Sequence, residues 1–341
     1  MSDPADRVLL ATRAIEPRWQ ERLQRIAPEL RLEVRPTTRF EDIPIEIWRQ
    51  VEILYTYLPL PTLEQAPNLR WVQLYSAGAD LVLKHPLMHT RVMVTTSSGL
   101  HAVNIAEYVI MMQLAWFHHL PRILEQKQKG EWASGAIRHS IFVAEESRGK
   151  TIGIVGYGSI GREVARLAKA FGMRVLAMQR SSDHRDRGFL FPGIGDPDGT
   201  LPDRYYTFEQ LHTMLQECDV VVIAVPLTPQ TTNLFDEAAF RAMKSSAFLI
   251  NIARGEVCDT QALVQALQEK CIAGAALDVT NPEPLPSDHP LWKLPNVIIS
   301  PHISGGTAHY DERALQIFEA NLQRYLAGQP LYNLLDREAG Y

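Results

Sequence analysis

Short apolar runs separated by helical patterns fill the first part of the chain. Several of these runs are rich in apolar or β-branched residues and stop at turn residues, as strands do: RVLLAT, RLEVRP, VEILYTY, LRWVQLY and VMVTTS. Strands that alternate with helices form layered α/β units. The pattern therefore predicts a first α/β unit.

From Thr151 onward the alternation of strand-like and helix-like segments is clearer, and the apolar runs are more continuous. These runs are TIGIV, RVLAMQ, DVVVIAV, AFLINIA, GAALDV and NVIIS, and helix-like segments separate several of them. Near-continuous apolar strands are typical of a parallel sheet that is covered by helices on both faces. This part of the chain predicts a doubly wound parallel sheet.

Three other segments predict two helices and a long loop. Residues Asn104 to Leu120 are apolar on nearly every face, which indicates either a helix buried between domains or subunits or an ordinary core helix. The Gly-, Pro- and Asp-rich stretch between Ser182 and Phe208 is long for a connection within a compact sheet, and we interpret it as a mobile surface loop. A last helix is predicted from about Thr307 to Leu326.

Composition and charge narrow the function classes. The 341 residues, 46% of them apolar, can bury a core in each of two domains. A net charge of -5 gives no reason to expect binding to nucleic acid or to an anionic membrane, since both depend on clustered positive charge. The first residues lack the pattern of a secretory signal, and no stretch is apolar enough to span a membrane. We therefore expect a cytoplasmic protein without a nucleic-acid or membrane partner.

The cysteines give no sign of a disulfide framework or a metal site. Cys218, Cys258 and Cys271 are odd in number and lack CxxC spacing. Disulfide frameworks and zinc sites need paired cysteines at short, regular spacings. We expect buried thiols and no bound metal.

A glycine pattern that suits a dinucleotide follows the strand TIGIV. The segment GYGSIG places Gly156, Gly158 and Gly161 between a strand and a helix that runs to about Phe171. The first glycine permits a tight turn, the second allows close approach of a pyrophosphate, and the third allows the helix to pack on the strand. The backbone N–H groups of Ser159 and Ile160 would then bind the anion at the helix N-terminus.

The residues at the end of the next strand decide which dinucleotide is favoured. An acid at this place would bind the ribose hydroxyls of NAD and repel a 2′-phosphate, but Gln179, Arg180 and Ser181 stand here instead. Arg180 can bind a phosphate through paired charged hydrogen bonds. The sequence thus predicts that NADP is preferred, with NAD possible if Arg180 points into solvent. In the following segment Arg185 or Arg187 is a further candidate for contact with the phosphate.

Three residues with catalytic side chains each follow an apolar strand-like run. Arg254, Glu283 and His302 come after AFLINIA, GAALDV and NVIIS. Ligands of open α/β sheets bind outside the carboxyl ends of the strands, so one cleft would hold all three. Taken singly, the arginine could form a surface ion pair, the glutamate could be a loop acid, and the histidine could cap the last helix.

Several motifs in a fixed order carry a family resemblance. They are GLHAVNIAE, GYGSIG, PLTPQTTNL, NIARGEVCDTQAL, GAALDV, EPLP, HPLW and PNVIISPHISG. The chain resembles the D-isomer-specific 2-hydroxyacid dehydrogenases, which include phosphoglycerate dehydrogenase and the glyoxylate and hydroxypyruvate reductases. The resemblance is strongest from about Gly99 to Gly306 and weaker in YSAGAD. It implies an oxidoreductase that transfers a hydride between NAD(P)H and a small 2-keto acid or D-2-hydroxy acid.

The resemblance also implies a role for each matching residue. His302 would act as acid and base, Glu283 would orient it, and Arg254 would bind the substrate carboxylate and polarise the carbonyl. The positions that would bind substrate are Tyr75, Ser76, Ala77 and Gly78. The positions that would line the cofactor are Val225, Ile252, Asp278 and Gly305, with Asp278 near the nicotinamide carboxamide.

The implied architecture is a Rossmann-type dinucleotide domain beside a smaller, flavodoxin-like substrate domain. We assign residues 1-102 and 304-341 to the substrate-binding domain and residues 103-303 to the dinucleotide domain, with catalysis in the cleft between them. The helix that starts near Asn104 would join a homodimer. Two other functions share these motifs: a dinucleotide-sensing, corepressor-like binding protein, and a dehydrogenase of a non-carbon substrate such as phosphite.

Overall fold

The computed structural model describes residues 7–337 of the chain. The outermost residues of the predicted substrate domain, 1–6 and 338–341, lie outside this described part. The chain divides into two compact units. The first contains the residues up to His101, the short stretch Arg187–Phe189 and the residues from Thr307, and the second contains Ala102–Asp186 and Leu190–Gly306.

The first unit is built on a parallel sheet of five strands in the order β2-β1-β3-β4-β5. Its strands are β1 (Val8–Ala11), β2 (Arg31–Val34), β3 (Val51–Thr56), β4 (Trp71–Leu74) and β5 (Met93–Thr95). Its helices are α1 (Pro17–Ile26), α2 (Ile45–Trp48) and α10 (Tyr310–Leu326). This strand order is that of flavodoxin-like folds. The residues Leu315, Phe318 and Leu322 of α10 are buried in the core of this unit with β1 and β3.

The second unit is built on a seven-stranded parallel sheet in the order β12-β11-β10-β9-β6-β7-β8. Its strands are β6 (Thr151–Val155), β7 (Arg174–Met178), β8 (Arg204–Tyr206), β9 (Val220–Ile223), β10 (Phe248–Asn251), β11 (Gly274–Leu277) and β12 (Val297–Ile299). Its helices are α3 (Ala102–Phe117), α4 (Leu120–Lys129), α5 (Gly135–Ile141), α6 (Ser159–Ala170), α7 (Leu211–Leu215), α8 (Glu237–Ala242) and α9 (Thr260–Gln268). The strand order reverses between β6 and β9, and nucleotides bind at such switch points.

Helices cover both faces of this second sheet. Successive strand residues point to opposite faces, and Val155 lies in one apolar cluster while Ile154 lies in another. The first cluster includes residues of α7, α8 and α9, and the second includes residues of α3 and α6. The buried Ile105 and Val109 of α3 pack in that second cluster, which confirms α3 as a core helix. Its burial between subunits stays a prediction.

The strands predicted from apolar runs are confirmed in both units. The sequence missed β8, which pairs in parallel with β7 inside the segment that we interpreted as a loop. This strand is short and begins with the exposed Arg204, so it has no apolar run to reveal it. Among residues 7–337, none of the helices has the length and apolar character needed to cross a membrane.

Candidate active site

The glycine-rich loop between β6 and α6 fits a pyrophosphate. Gly156 has φ +108, and a Cβ there would lie 2.7 Å from the carbonyl of Ala224. A Cβ on Gly161 would lie 2.3 Å from the oxygen of Gly156, so α6 can approach the loop only with glycine at this place. A Cβ added to Gly158 would have no atom of residues 7–337 within 4 Å apart from its own chain neighbours. This leaves space for a ligand.

Helix α6 begins directly after this loop. Its first residues, Ser159 and Ile160, have backbone N–H groups without a partner inside the helix. Such a helix N-terminus stabilises an anion through these donors and through the helix dipole. The residues present therefore fit the dinucleotide that the sequence predicts.

The loop after β7 is organised by a glutamine. The Nε2 of Gln179 donates to the carbonyl oxygens of Ser181, at 2.6 Å, and Asp183, at 3.1 Å. It also lies 2.8 Å from Nδ1 of His184. The Gln179 side chain thus forms hydrogen bonds within its own loop. Arg180 and Ser181 of this loop are exposed.

The segment that follows is anchored by buried polar groups. The Tyr157 hydroxyl donates to Asp196 at 2.7 Å, and the Arg162 guanidinium donates to the carbonyl oxygens of Asp196 and His184 at 2.6 and 2.8 Å. The backbone N–H of Gly195 donates to the buried Glu163 at 2.6 Å. Polar groups that are buried and paired in this way fix a segment, because opening it would leave them unsatisfied. These contacts anchor the segment at several points, and up to β8 it is an irregular surface loop as predicted, while its mobility stays a prediction.

A turn after β10 positions Arg254. The side chain of Asn251 donates to the carbonyl oxygen of Arg254 at 3.1 Å and accepts from the N–H of Ala253 at 3.0 Å. A Cβ on Gly255 would lie 2.1 Å from the carbonyl of Thr280 in the loop after β11, so only glycine fits beside it. The Arg254 guanidinium donates to the oxygen of Ala253 at 2.8 Å.

His302 and Glu283 form a hydrogen-bonded pair. The imidazole Nδ1 lies 2.7 Å from Oε1 of Glu283, and both side chains are nearly half exposed. A carboxylate only accepts hydrogen bonds, so this contact assigns a proton to Nδ1. The contact fixes the ring and leaves Nε2 as the nitrogen that can exchange a proton with another molecule.

The loop that carries His302 is held by a buried aspartate. His302 has φ +54, a left-handed conformation that a non-glycine residue adopts only where its surroundings enforce it. The Asp278 carboxylate accepts from the Ser300 hydroxyl at 2.6 Å and from the N–H groups of Ile303 and Ser304 at 2.9 and 3.0 Å. Its predicted contact with the nicotinamide carboxamide stays a prediction.

A tyrosine that the sequence did not single out supports this loop. The Tyr108 hydroxyl of α3 lies 2.5 Å from the Ser300 hydroxyl. Burial raises the pKa of Tyr108 to about 12, so it remains a neutral hydrogen-bonding group. Its sequence context is an apolar helix, which contains no signal for a polar role.

The other predicted residues follow strands of one or the other sheet. In the second unit, Val225 and Ile252 follow β9 and β10 and are 5% and 7% exposed, and Gly305 lies in the loop after β12. The carboxyl edge of that sheet thus carries all the predicted cofactor and catalytic residues of the unit. In the first unit, Tyr75, Ser76, Ala77 and Gly78 follow β4. The Ser76 hydroxyl donates to the oxygen of Gly78 at 2.8 Å and shapes this turn.

Comparison with known proteins identifies the family. The model of the D-isomer specific 2-hydroxyacid dehydrogenase NAD binding domain matches residues 110–304. The glyoxylate reductase of Thermococcus gammatolerans is 35% identical over 317 residues, which are 90% of this chain and 90% of the relative.

Solved structures agree with this match. A D-isomer specific 2-hydroxyacid dehydrogenase family protein from Aeromonas salmonicida has a TM-score of 0.76 and 30% identity, covering 97% of this chain and 99% of that one. A D-isomer specific 2-hydroxyacid dehydrogenase from Xanthobacter autotrophicus, solved with NADPH and MES, has a TM-score of 0.76 and 27% identity, covering 98% and 99%. This chain therefore belongs to the D-isomer specific 2-hydroxyacid dehydrogenase family and is an NAD(P)-dependent oxidoreductase that acts on 2-keto acids.

Proposed function

We propose that this oxidoreductase reduces a small 2-keto acid with NADPH and uses His302 as the proton donor. The observation that carries the proposal is the 2.7 Å contact between His302 and Glu283 on a loop fixed by Asp278. Histidine exchanges a proton near neutral pH more readily than any other side chain. A histidine whose second nitrogen is held by a carboxylate is suited to acid–base chemistry.

The side chains of this chain would perform the steps other than hydride transfer. When bound, the nicotinamide supplies the hydride to the carbonyl carbon. His302 delivers the Nε2 proton to the carbonyl oxygen, and the same atom removes a proton from the alcohol in the reverse direction. Glu283 keeps the imidazole in place and stabilises its positive charge. Arg254 binds the carboxylate and polarises the carbonyl oxygen as negative charge develops there.

Glyoxylate is the first substrate to test. Relatives that are named glyoxylate reductase are 35% identical to this chain over most of its length. In the first unit, the backbone of Ser76, Ala77 and Gly78 would bind the carboxylate of this small acid. The size of the accepted side chain depends on Tyr75 and its neighbours in the first unit.

Preference for NADPH rests on the loop after β7. Gln179 is neutral, and its amide donates to two carbonyl oxygens of the same loop. Gln179 has no negative charge with which to repel a 2′-phosphate, and Arg180 would attract that phosphate. Related structures were solved with NADPH and with NAD, so the proposed preference rests on this loop alone, with NAD as the alternative cofactor.

We also propose that the protein is a cytoplasmic homodimer. Helices α4 and α5 and the residues beside them carry large apolar side chains that are exposed: Leu120, Ile123, Leu124, Trp132, Ile137, Ile141 and Val143. The exposed fraction of Trp132 is 90%. Contiguous apolar surface of this kind marks a contact with another protein. A Leu124→Glu substitution should yield monomers in light scattering, whereas an unchanged mass would contradict the use of this surface.

The decisive experiment follows NADPH and NADH oxidation by absorbance with glyoxylate, hydroxypyruvate, pyruvate and longer 2-keto acids. Replacement of His302 by alanine should lower kcat by roughly 100-fold to 10,000-fold, the contribution of a general acid. The matched control is His212→Ala, which removes an exposed histidine in α7. Turnover that survives the His302 substitution would refute its role, and binding of NADPH without turnover of any keto acid would refute the proposed reaction.

A further inference from the structure

An arginine of the first unit lies beside the predicted substrate loop, and none of the carboxylates in residues 7–337 pairs with it. Arg13 comes two residues after the end of β1, and its guanidinium lies 4.4 Å from the centre of the Tyr75 ring. Its Nε is buried and has no hydrogen-bond acceptor among residues 7–337. A partly buried cation without a counter-charge is costly, and an anion bound beside it would offset this cost.

The surroundings of Arg13 are aromatic. The rings of Tyr75 and Tyr310 lie 4.6 Å apart, and His101 contacts Tyr310 edge-on at 5.2 Å. Burial raises the pKa of Tyr75, and it raises the pKa of Tyr310 to about 12, so both hydroxyls stay neutral. The acid of this cluster, Asp311, accepts a hydrogen bond from the Tyr75 hydroxyl at 2.5 Å. Arg13 is therefore the cation of an otherwise aromatic cluster whose carboxylate is bound to a phenol.

The topology of the sheet sets the distance between this cation and the substrate loop. Strand β3 lies between β1 and β4, so the ends of β1 and β4 are about 10 Å apart. The turn Ser76–Gly78 follows β4, and the Arg13 guanidinium lies over the ring of Tyr75, the residue that precedes this turn. A chain of a few carbon atoms would span the space between an anion at the turn and a second anion at the guanidinium.

We propose that Arg13 determines substrate specificity by binding a second anionic group, a carboxylate or a phosphate, at the far end of the 2-keto acid. This inference rests on the proposed reaction and on the turn Ser76–Gly78 as the site of the first carboxylate. An arginine held on an aromatic face keeps the N–H groups at its edge for paired hydrogen bonds to a planar anion. A monoacid such as glyoxylate does not use this site.

The test compares substrates with and without a far-end anion. Steady-state constants are measured with NADPH for glyoxylate, for oxaloacetate and 2-oxoglutarate, and for 3-phosphohydroxypyruvate, whose far-end group is a phosphate. The variants are Arg13→Met, which keeps the aliphatic packing, and Arg13→Lys, which keeps the charge. The control is Arg18→Met, which removes an exposed arginine paired with Glu16. Binding of the same acids to the protein is measured by calorimetry with NADP+, which has no hydride to transfer to a 2-keto acid.

Arg13→Met should lower kcat/KM for the preferred diacid or phosphate by roughly 10-fold to 100-fold, mainly through KM, because a charged hydrogen-bonded contact is lost. Glyoxylate reduction should change less than about threefold, and Arg13→Lys should restore part of the loss. Comparison of the diacids with 3-phosphohydroxypyruvate identifies whether the site binds a carboxylate or a phosphate.

Two outcomes separate this inference from the proposed function. Equal losses for glyoxylate and for the diacids, or no loss for any of them, would overturn the role of Arg13 and leave the reaction intact. Binding of diacids that depends on Arg13, without reduction of any 2-keto acid, would overturn the reaction and retain the anion site.

Discussion

The glycine-rich loop and the segment from Asp183 to Asp203 lie side by side in the second unit, but they are fixed in different ways. In the loop, glycines at Gly156 and Gly161 are required because any Cβ would strike the backbone. In the segment, side chains hold the chain: Asp196 binds a tyrosine that lies 39 residues earlier. In the loop, neighbouring backbone excludes any side chain, and in the segment, side chains brought together by folding hold the chain.

Substitutions in the glycine-rich loop and in the segment should have different consequences. A change in the loop should affect backbone packing and the approach of a nucleotide. A change in the segment should remove one member of a buried network and leave its partners unsatisfied, which costs more than the lost hydrogen bond itself. Substitutions of both kinds test whether the segment supports the nucleotide site or is independent of it.

The largest effect is expected for Arg162→Met. Arg162 is buried, lies 3.3 Å from Asp186, and donates to the carbonyl oxygens of Asp196 and His184. Its removal takes the positive charge away from the largely buried Asp186 carboxylate and leaves two carbonyl oxygens without this donor, which should lower the free energy of unfolding by about 3 kcal/mol. Urea unfolding is the measurement.

The matched control for this prediction is Arg241→Met, which breaks an exposed pair with Glu237 on one helix. Such a pair contributes about 0.5 kcal/mol or less. Equal stability of the two variants would mean that the segment is not anchored by its buried cation.

This network also shows why the sequence predicted one region and not the other. The motif GYGSIG requires only a strand, a turn and a helix, and each of these has a local signal. Arg162 and Glu163 look like ordinary surface residues of a helix, because charged side chains are seldom buried. Their partners, Asp186, Gly195 and Asp196, stand in a stretch with the composition of a loop. Only the folded structure shows that these groups are buried together.

The residues that are predicted to be catalytic follow the same rule. Arg254, Glu283 and His302 could be found because they stand within motifs beside predicted strands. One of their supports could not be found: Tyr108 holds Ser300 from a helix that is 192 residues away in sequence. A hydrogen bond between distant segments has no periodicity and no fixed spacing, so it leaves no pattern in the sequence.

Two glycine substitutions should separate packing from ligand approach. Gly161→Ala places a Cβ 2.3 Å from the oxygen of Gly156 and should lower the free energy of unfolding by about 2 kcal/mol. Gly158→Ala meets open space and should keep the stability, but it should weaken NADPH binding because the added methyl occupies the approach of the pyrophosphate. Thermal unfolding and NADPH titration measure the two effects. If the two variants lost the same amount of stability, Gly161 and Gly158 would not differ in this way.

A smaller effect should distinguish the two nucleotides. Arg180→Ala should raise the Kd of NADPH roughly tenfold, which corresponds to about 1.4 kcal/mol, and should leave that of NADH unchanged. Arg185→Ala is the control, because this arginine is also exposed in the neighbouring segment. If Arg185→Ala has the larger effect, the segment rather than the end of β7 binds the 2′-phosphate. If neither changes NADPH binding, the predicted preference has another cause.

The smallest effect tests the link between the two regions. Tyr157 stands between Gly156 and Gly158, and its hydroxyl donates to Asp196 while the backbone N–H of Leu201 donates to the same carboxylate oxygen. Tyr157→Phe should lower the free energy of unfolding by about 1 kcal/mol, since one hydrogen bond is lost and the acceptor keeps another donor. Because the tyrosine belongs to the glycine-rich loop, its release should also weaken NADPH binding by a small factor. Tyr206→Phe, which removes a bond to the partly exposed Glu217, should not weaken it. An unchanged NADPH affinity in Tyr157→Phe would show that the segment is fixed by the loop but does not in turn position it.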